Sequence, residues 1–391
     1  MNSFIATIPE RIVFGAGSLN HLSQHAAGLG KKALIVTGKS IRPEKTALLD
    51  RIKCQLTTAG IDSVVFAEVE ENPTTTTCDR GSVFARENGC DVVIGVGGGS
   101  AMDTAKIIAM LCVNEGKNAD YLPGGKYSGK PDSELKCLPI ILITTTSGTG
   151  SETTPFAVVT NPQNGHKPGT GHNFWYANVS IVDPELMLSM PKNVTIHTGL
   201  DAFFHAYEAY VSKSANEFAD IFARRAMELV IQNLKKCVDT PSDLEARSAL
   251  ALANSLAGTA ISISGTYAIH GLGHSVSGHY NTAHGTALCA IAPACTAFAC
   301  TGNVQKFAEV SLLLGGDPVK SAKALAQECA SLIAAFLDMF GMKIKLSSLG
   351  VKKDKIAVLA QDAFIAMEGA MENTPVPITI DDAKRIFEQS L

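Results

Sequence analysis

Histidines and one aspartate recur at helical spacing in the second half of this chain. Asp201 and His205 stand four residues apart in DAFFH, as do His270 and His274 in HGLGH, and His284 follows. Residues four apart lie on one face of a helix. A lone histidine on an apolar helix is usually a core residue, but a carboxylate with several imidazoles suits Fe(II), Zn(II) or another first-row divalent ion. We therefore expect a metal site, and the absence of the glutamate of HExxH argues against a zinc peptidase.

A glycine cluster in VVIGVGGGSAMDTAK, residues 92–106, follows a buried strand and opens a helix. Gly97, Gly98 and Gly99 let backbone N–H groups approach a phosphate without an intervening Cβ, and the helix start adds its positive dipole end. Ser100 can cap that helix or bind a phosphate oxygen. A plain strand-to-helix turn needs fewer glycines, so the segment favours phosphate binding.

A second loop, TTTSGTGSETT at 144–154, is rich in hydroxyl groups and follows the apolar run at 138–143. It ends a buried strand, where α/β sheets bind their ligands, although a flexible surface loop would have a similar composition. Neither loop matches the GxGxxG fingerprint or a Walker loop. TGKS at 37–40 lacks the upstream glycine of a Walker loop, because Ala33 stands in that place.

Two kinds of element must position these residues. The first half alternates short apolar runs with helical stretches, which predicts an α/β domain with a parallel sheet buried on both faces. The second half carries apolar residues at helical spacing and almost no strand candidates, which predicts an all-helical domain. The expected strands are 33–37, 63–66, 91–96 and 138–144. The expected helices are 43–59, 77–89, a stretch from 101, 216–237, 243–265, 304–313 and 320–340.

Composition excludes several classes of function. Of the 391 residues 46% are hydrophobic and the net charge is −4, so a large core is available and neither nucleic acid nor an anionic membrane surface is an expected partner. The most apolar stretch, 286–300, contains Pro293 and is too short to span a membrane, so we expect a buried helix. The start of the chain does not have the pattern of a signal peptide. Ten scattered cysteines favour reduced thiols and a cytoplasmic location.

At this point the motifs resemble those of the iron-containing (group III) alcohol dehydrogenases over roughly residues 5–390. The motifs that carry the resemblance are GGGSAMDTAK (97–106), TTTSGTGSE (144–152), IVDPEL (181–186), GLDAFFHAYEAY (199–210) and HGLGHSVSGHYNTAHG (270–285). The resemblance implies a Rossmann-like α/β nucleotide-binding domain at 1–187 and an all-helical metal-binding domain at 188–391, the architecture shared with dehydroquinate synthase. It also implies an active site in the cleft between the two domains.

The resemblance assigns roles to individual residues. It implies one divalent ion, usually Fe(II), on Asp201, His205, His270 and His284, and a proton-relay role for His274 near the nicotinamide. Asp103 is equally suited to touching the cofactor or bracing its loop. The full set expected at the cofactor is Gly38, Lys39, Ser40, Asn72, Gly97, Gly98, Gly99, Ser100, Asp103, Thr145, Thr146, Thr149 and Lys167.

Two departures from the family pattern bear on specificity. Many NAD-specific members carry an acidic residue where this chain has Gly38, and Lys39, Ser40 or Arg42 could bind a 2′-phosphate, so the sequence leans towards NADP(H) over NAD(H). The segment 165–178 is unusual in containing His172, and His279 adds a further imidazole. These two histidines suggest a sulfo- or phosphono-aldehyde as an alternative to a short aliphatic alcohol.

The sequence therefore predicts a metal-dependent NAD(P)-linked alcohol dehydrogenase or aldehyde reductase acting on a small molecule. A bound ion would act as a Lewis acid on the substrate oxygen during hydride transfer. The alternatives are a reductase of a small anionic aldehyde, a zinc-dependent polyol dehydrogenase and, from another class, a non-catalytic metal- or nucleotide-binding protein. A phosphotransferase is disfavoured because no carboxylate site for Mg²⁺ lies near 97–106. By the same resemblance we expect a homodimer or larger homo-oligomer.

Overall fold

The computed structural model describes residues 4–40 and 42–391 and divides into two compact units. One unit, the sheet unit, comprises Thr7–Asn164 and Pro168–Ser189. The other, the helical unit, comprises Met190–Leu391 together with residues 4–6 and the short segment Gly165–Lys167.

The sheet unit is built on eight short strands, most of them apolar. They are β1 (Ile12–Phe14), β2 (Lys32–Gly38), β3 (Asp62–Val69), β4 (Val92–Gly97), β5 (Ile140–Thr144), β6 (Phe156–Val158), β7 (Gly169–Gly171) and β8 (Val179–Val182). Six of them form a sheet in the order β1-β8-β5-β4-β2-β3, with every neighbouring pair parallel. The remaining two, β6 and β7, form an antiparallel hairpin.

Helices cover both faces of this sheet. They are α1 (Leu22–Ala26), α2 (Pro43–Thr58), α3 (Thr75–Glu87), α4 (Gly99–Leu111) and α5 (Asn118–Tyr121). Each face of the sheet has its own hydrophobic core, and alternate residues of β2 contribute to opposite cores. Ala33 and Ile35 pack with α1 and α2, and Leu34 and Val36 pack with α3 and α4. The predicted parallel sheet, buried on both faces, is confirmed.

The strand order places a topological switch beside β4. The chain passes from β2 outward to β3, and then returns to the other side of β2 to form β4. Ligands of open parallel sheets bind at such a switch, beyond the carboxyl ends of the strands. The glycine cluster that follows β4 is therefore in the position where a nucleotide site is expected.

The helical unit contains α6 (Lys192–Val211), α7 (Glu217–Asp239), α8 (Leu244–Ser264), α9 (Ala268–Tyr280), α10 (His284–Ala299), α11 (Val304–Leu313), α12 (Ala322–Asp338), α13 (Ile356–Ala366), α14 (Glu368–Glu372) and α15 (Ile380–Ser390). Within the described part of this unit no strand occurs, as the sequence predicts. The apolar stretch around Pro293 is a largely buried helix, α10. Among the described residues, no helix has both the length and the apolar character needed to cross a membrane.

Candidate metal centre and nucleotide loops

One carboxylate oxygen of Asp201 lies at the centre of the histidine cluster. Asp201 Oδ1, on α6, is 3.6 Å from His270 Nε2 on α9 and 3.7 Å from His284 Nε2 at the start of α10. His205, one turn further along α6, places its Nε2 4.0 Å from the same oxygen and stacks on His270 with ring centroids 4.4 Å apart. Helical spacing and helix packing thus bring together all four residues that the sequence predicts as ligands.

These separations suit the ligands of a shared ion. Two ligand atoms that are each about 2.1 Å from one tetrahedral metal lie about 3.4 Å apart. Asp201, His270 and His284 each offer a donor atom within 4.8 Å of the other two, whereas His205 stands slightly outside this group. Asp201 Oδ1 and His270 Nε2 are buried and have no hydrogen-bond partner, which is costly unless another group satisfies them. A divalent cation fits both the donor set and the unpaired atoms.

Glu208 completes the centre, and sequence reasoning missed it. This fully buried carboxylate on α6 contacts His270 Nδ1 through Oε1, and its Oε2 accepts hydrogen bonds from the backbone N–H groups of Tyr267 and His270. It therefore fixes both the start of α9 and the orientation of the imidazole, leaving Nε2 directed at Asp201. The signal in the sequence was its position seven residues after Asp201, on the same helical face.

The same carboxylate controls the charge of His270. Burial alone would lower the pKa of His270, but the negative charges of Glu208 and Asp201 raise it to about 9. Burial raises the pKa of Glu208, and the interaction with His270 opposes that rise. The pair therefore holds a proton between Glu208 and His270 Nδ1 at neutral pH.

His274 has a different environment. Its Nδ1 lies 3.0 Å from the carbonyl oxygen of Lys167, and since a carbonyl only accepts, Nδ1 carries the proton. Burial lowers the pKa of His274 well below its ordinary value, and the positive charge of Lys167 lowers it further. Lys167, which the sequence predicts at the cofactor, belongs to the helical unit, and its charge also lowers the pKa of His284. His274 is thus a neutral imidazole with Nε2 as its proton acceptor.

The glycine turn in the sheet unit leaves a helix start without a side-chain cap. Gly97 has φ +149°, a conformation that favours glycine, and Gly98 is the N-cap of α4 without a side-chain hydrogen bond to the helix. Ser100 lies inside the first turn of α4, so it does not cap the helix, which was one of its two predicted roles. The first N–H groups of α4 remain available to an anion.

The hydroxyl-rich loop packs directly against this turn. Thr145 N donates to the Gly97 carbonyl at 2.9 Å. A Cβ on Gly98 would lie 3.0 Å from Thr146 Oγ1, and one on Gly99 would lie 2.7 Å from Thr149 Cγ2. The two loops that the sequence singled out therefore form one surface, and glycine is required for their close approach.

Asp103 and Lys106 brace this surface from α4. Asp103 accepts hydrogen bonds from Ser151 Oγ at 2.6 Å and from the Val158 N–H at 2.9 Å, which is the bracing role. Burial lowers the pKa of Lys106 to about 8 against the opposing charges of Asp103 and Glu152. Its ammonium group donates to Ser151 O, Ser151 Oγ, Thr154 O and Phe156 O.

The loops after β2 and β3 lie beside each other at the same edge. Lys39 N donates to the carbonyl of Val69, and Lys39 Nζ lies 3.6 Å from a carboxylate oxygen of Glu70. Gly38 and Ser40 flank Lys39, and Asn72 follows Glu70 with φ +53°. Glu70, directly after β3, therefore places a carboxylate beside Lys39. The sequence alone did not predict this pair, because the expected acidic position was the one directly after β2.

The two unusual histidines both face carboxylates. His172 Nδ1 lies 2.7 Å from Asp132 Oδ1 in the sheet unit. His279 Nε2 lies 3.4 Å from Asp362 Oδ2 in the helical unit. Each of these imidazoles therefore has a carboxylate neighbour within the protein, whereas the positive charge of Lys167 acts on His274 and His284.

Comparison with known proteins agrees with this geometry. The family model described as iron-containing alcohol dehydrogenase matches residues 9–184, and the model for the C-terminal part of the Fe-containing alcohol dehydrogenase family matches residues 195–391.

Individual relatives match over nearly the whole chain. The NAD-dependent methanol dehydrogenase of Bacillus methanolicus is 35% identical, over 98% of this chain and 99% of its own. The sulfoacetaldehyde reductase of Bilophila wadsworthia is 32% identical, over 99% and 98%. An archaeal halo-thermophilic alcohol dehydrogenase from a Red Sea brine pool, solved bound to NZQ, superposes with a TM-score of 0.94 at 36% identity and covers 100% of both chains.

Proposed function

The chain belongs to the iron-containing alcohol dehydrogenase family, and from that premise we propose that it interconverts a small alcohol and its aldehyde at the Asp201 centre. It is an oxidoreductase of the alcohol dehydrogenase type. The observation that carries the proposal is Asp201 Oδ1, a buried oxygen without a hydrogen-bond partner and surrounded by three imidazole nitrogens.

The proposed ligands of the metal are Asp201, His205, His270 and His284, with Fe(II) as the ion and Zn(II) as the alternative. When bound, the ion supplies a Lewis acid for the substrate oxygen. One carboxylate and three neutral imidazoles leave part of a divalent charge uncompensated, which favours an anionic oxygen at the centre. The contact of Glu208 with Nδ1 would leave Nε2 of His270 as the atom that holds the ion, once the ion has displaced the proton from Nε2.

His274 is the proposed catalytic proton carrier. Its Nδ1–H is held by the Lys167 carbonyl, so Nε2 alone exchanges protons. Because its pKa is lowered, His274 is neutral at pH 7, and its unprotonated Nε2 is the atom that would receive the proton of an alcohol. In the reverse direction the same nitrogen returns the proton to the product.

The nucleotide is proposed to bind the sheet unit. Gly97, Gly98, Gly99 and Ser100 would hold the pyrophosphate at the start of α4. Thr145, Thr146 and Thr149 would line the nicotinamide, which supplies or accepts the hydride. Gly38, Lys39, Ser40 and Asn72 would receive the adenosine end, while Asp103 supports the loop.

The choice between NAD(H) and NADP(H) depends on Lys39 and Glu70. The sequence favours NADP(H), because Lys39 is positively charged and position 38 is glycine and not an acidic residue. The Glu70 carboxylate, 3.6 Å from Lys39, neutralises that charge and would repel a 2′-phosphate. We therefore propose NAD(H) as the working cofactor, with Glu70 opposing NADP(H).

A second candidate substrate is a small anionic aldehyde. Lys167 is buried beside His274, and its charge acts on both His274 and His284. A fixed cation at this place would bind a sulfonate or phosphonate group. The sulfoacetaldehyde reductase relative supports this alternative.

Assembly and location follow from the same reasoning. We propose a homodimer or larger homo-oligomer by analogy with the family. Among the described residues the ten cysteines are all free, which supports a cytoplasmic, reducing compartment.

A substrate panel tests the proposal. Protein loaded anaerobically with Fe(II) or Zn(II) would be supplied with NADH or NADPH and with acetaldehyde, butanal or sulfoacetaldehyde, and in the other direction with NAD and 1,3-propanediol or glycerol. We expect metal-dependent oxidation of NADH by at least one aldehyde. Tight cofactor binding without turnover of any substrate would contradict the proposal and favour a binding protein.

A further inference from the structure

A second cluster of titratable groups lies in the helical unit and includes none of the proposed metal ligands. Asp362, on α13, has a side chain only 3% exposed and faces two imidazoles. Its Oδ1 is 3.0 Å from His166 Nε2, and its Oδ2 is 3.4 Å from His279 Nε2 at the end of α9. Neither carboxylate oxygen has a hydrogen-bond partner among the described residues, so the two imidazoles are the polar groups that face this buried carboxylate.

The cluster anchors a short piece of chain. His166 is the middle residue of Gly165–Lys167, which lies against α9. A Cβ on Gly278 would come within 2.5 Å of the Gly165 carbonyl oxygen and 3.3 Å of Lys167 Cβ. The segment is therefore in backbone contact with α9, which only glycine at position 278 permits, and Asp362 holds its side chain from the other side.

This segment ends at the carbonyl that binds His274. Lys167 O accepts the hydrogen bond of His274 Nδ1 at 3.0 Å, one residue beyond the anchored His166. A displacement of the segment would break this bond and free the His274 ring to adopt the other tautomer. The position of His274 thus depends on a carboxylate that does not touch it.

A metal site is not the explanation of this cluster. Among the described residues, Asp201, His270 and His284 are the group of donors that meets the spacing required for one ion, and Asp362 with its two histidines does not. The two imidazoles instead face one carboxylate oxygen each, so Asp362 lies between the end of α9 and the segment Gly165–Lys167.

We propose that Asp362 is a positioning residue: together with His166 and His279 it fixes Gly165–Lys167 on α9, so that the Lys167 carbonyl holds His274 as the Nδ1–H tautomer. The inference rests on the proposed role of His274 as proton carrier. On this proposal Asp362 acts on His274 through the segment.

The test combines kinetics with a direct observation of the tautomer. Asp362→Asn keeps the shape of the side chain and removes its charge, and His166→Gln releases the segment while leaving the Asp362–His279 contact. Zn-loaded, ¹⁵N-histidine-labelled protein reports by NMR which nitrogen of His274 carries the proton. His172→Asn is the matched control, because it removes a similar histidine–carboxylate contact from the sheet unit.

We expect Asp362→Asn and His166→Gln to lose the single Nδ1–H signal of His274 and to lower kcat roughly tenfold or more with little change in KM. Asp362→Glu should recover part of kcat, and His172→Asn should leave both readouts unchanged. An unchanged tautomer and kcat, even with a lower melting temperature, would overturn the inference. If the tautomer is lost while kcat survives and His274→Asn is also active, the positioning stands and the proton-carrier role of His274 fails.

Discussion

Glu208 Oε1 and His270 Nδ1 are in hydrogen-bond contact although 62 residues separate them in the chain. Glu208 is fully buried, and its other oxygen binds the first N–H groups of α9. One carboxylate therefore sets both the orientation of an imidazole and the position of the helix that carries it. The proposed metal centre depends on this contact, because it leaves His270 Nε2 free to face Asp201.

Glu208→Gln should weaken metal binding by about 10–100-fold, since the amide lacks the charge that orients His270 and increases its basicity. Competition with a chelator would measure the affinity for Zn(II). Glu309→Gln is the matched control, because Glu309, on α11, also accepts a hydrogen bond, but from Tyr210 and not from a proposed ligand. Equal affinities in wild type and Glu208→Gln would contradict the role assigned to Glu208.

Glu70→Gln should raise the preference for NADPH over NADH roughly tenfold, because it removes a negative charge near the proposed 2′-position while keeping Lys39. The ratio of kcat/KM for the two cofactors would measure this. Glu68→Gln serves as control, since Glu68 lies two residues before Glu70, on β3, but pairs with Arg80. An unchanged ratio of kcat/KM in Glu70→Gln would show that the adenosine end of the cofactor does not bind beside Glu70.

Lys106→Met should destabilise the sheet unit by about 3 kcal/mol, because buried carbonyl groups of the 151–156 loop lose their donor. Urea unfolding followed by near-ultraviolet circular dichroism would measure the loss. Lys384→Met, at an exposed pair on α15, should change little. If Lys106→Met unfolds at the same urea concentration as wild type, the bracing role of Lys106 is wrong.

Lys167→Met should reduce kcat/KM for sulfoacetaldehyde more than for butanal, by roughly tenfold in the ratio, if the buried charge binds an anionic group. Steady-state assays with both aldehydes in one buffer would measure it. A proportional loss with the two substrates would show that Lys167 does not select for negative charge and would favour a neutral alcohol as substrate.

Much of the fold could be predicted because local patterns determine it. Apolar runs ending in glycine gave β2 and β4, and helical spacing gave α7, α8, α11 and α12. Asp201 and His270 could be predicted as ligands because each stands four residues before a histidine, which places the two side chains on one face of a helix. Glu208 and Asp362 were missed, since the functional contacts of both join segments distant in sequence. The Lys39–Glu70 pair was missed for a similar reason, because it depends on β3 lying next to β2.

The most direct test of the central claim is anaerobic aldehyde reduction by metal-free protein titrated with Fe(II), with His270→Ala and His172→Asn run beside wild type. We predict that NADH oxidation by wild type and His172→Asn rises with Fe(II) and saturates near one ion per chain, while His270→Ala stays inactive although it folds and binds NADH. Activity that does not depend on added metal, or that survives in His270→Ala, would contradict a metal-dependent hydride transfer at Asp201.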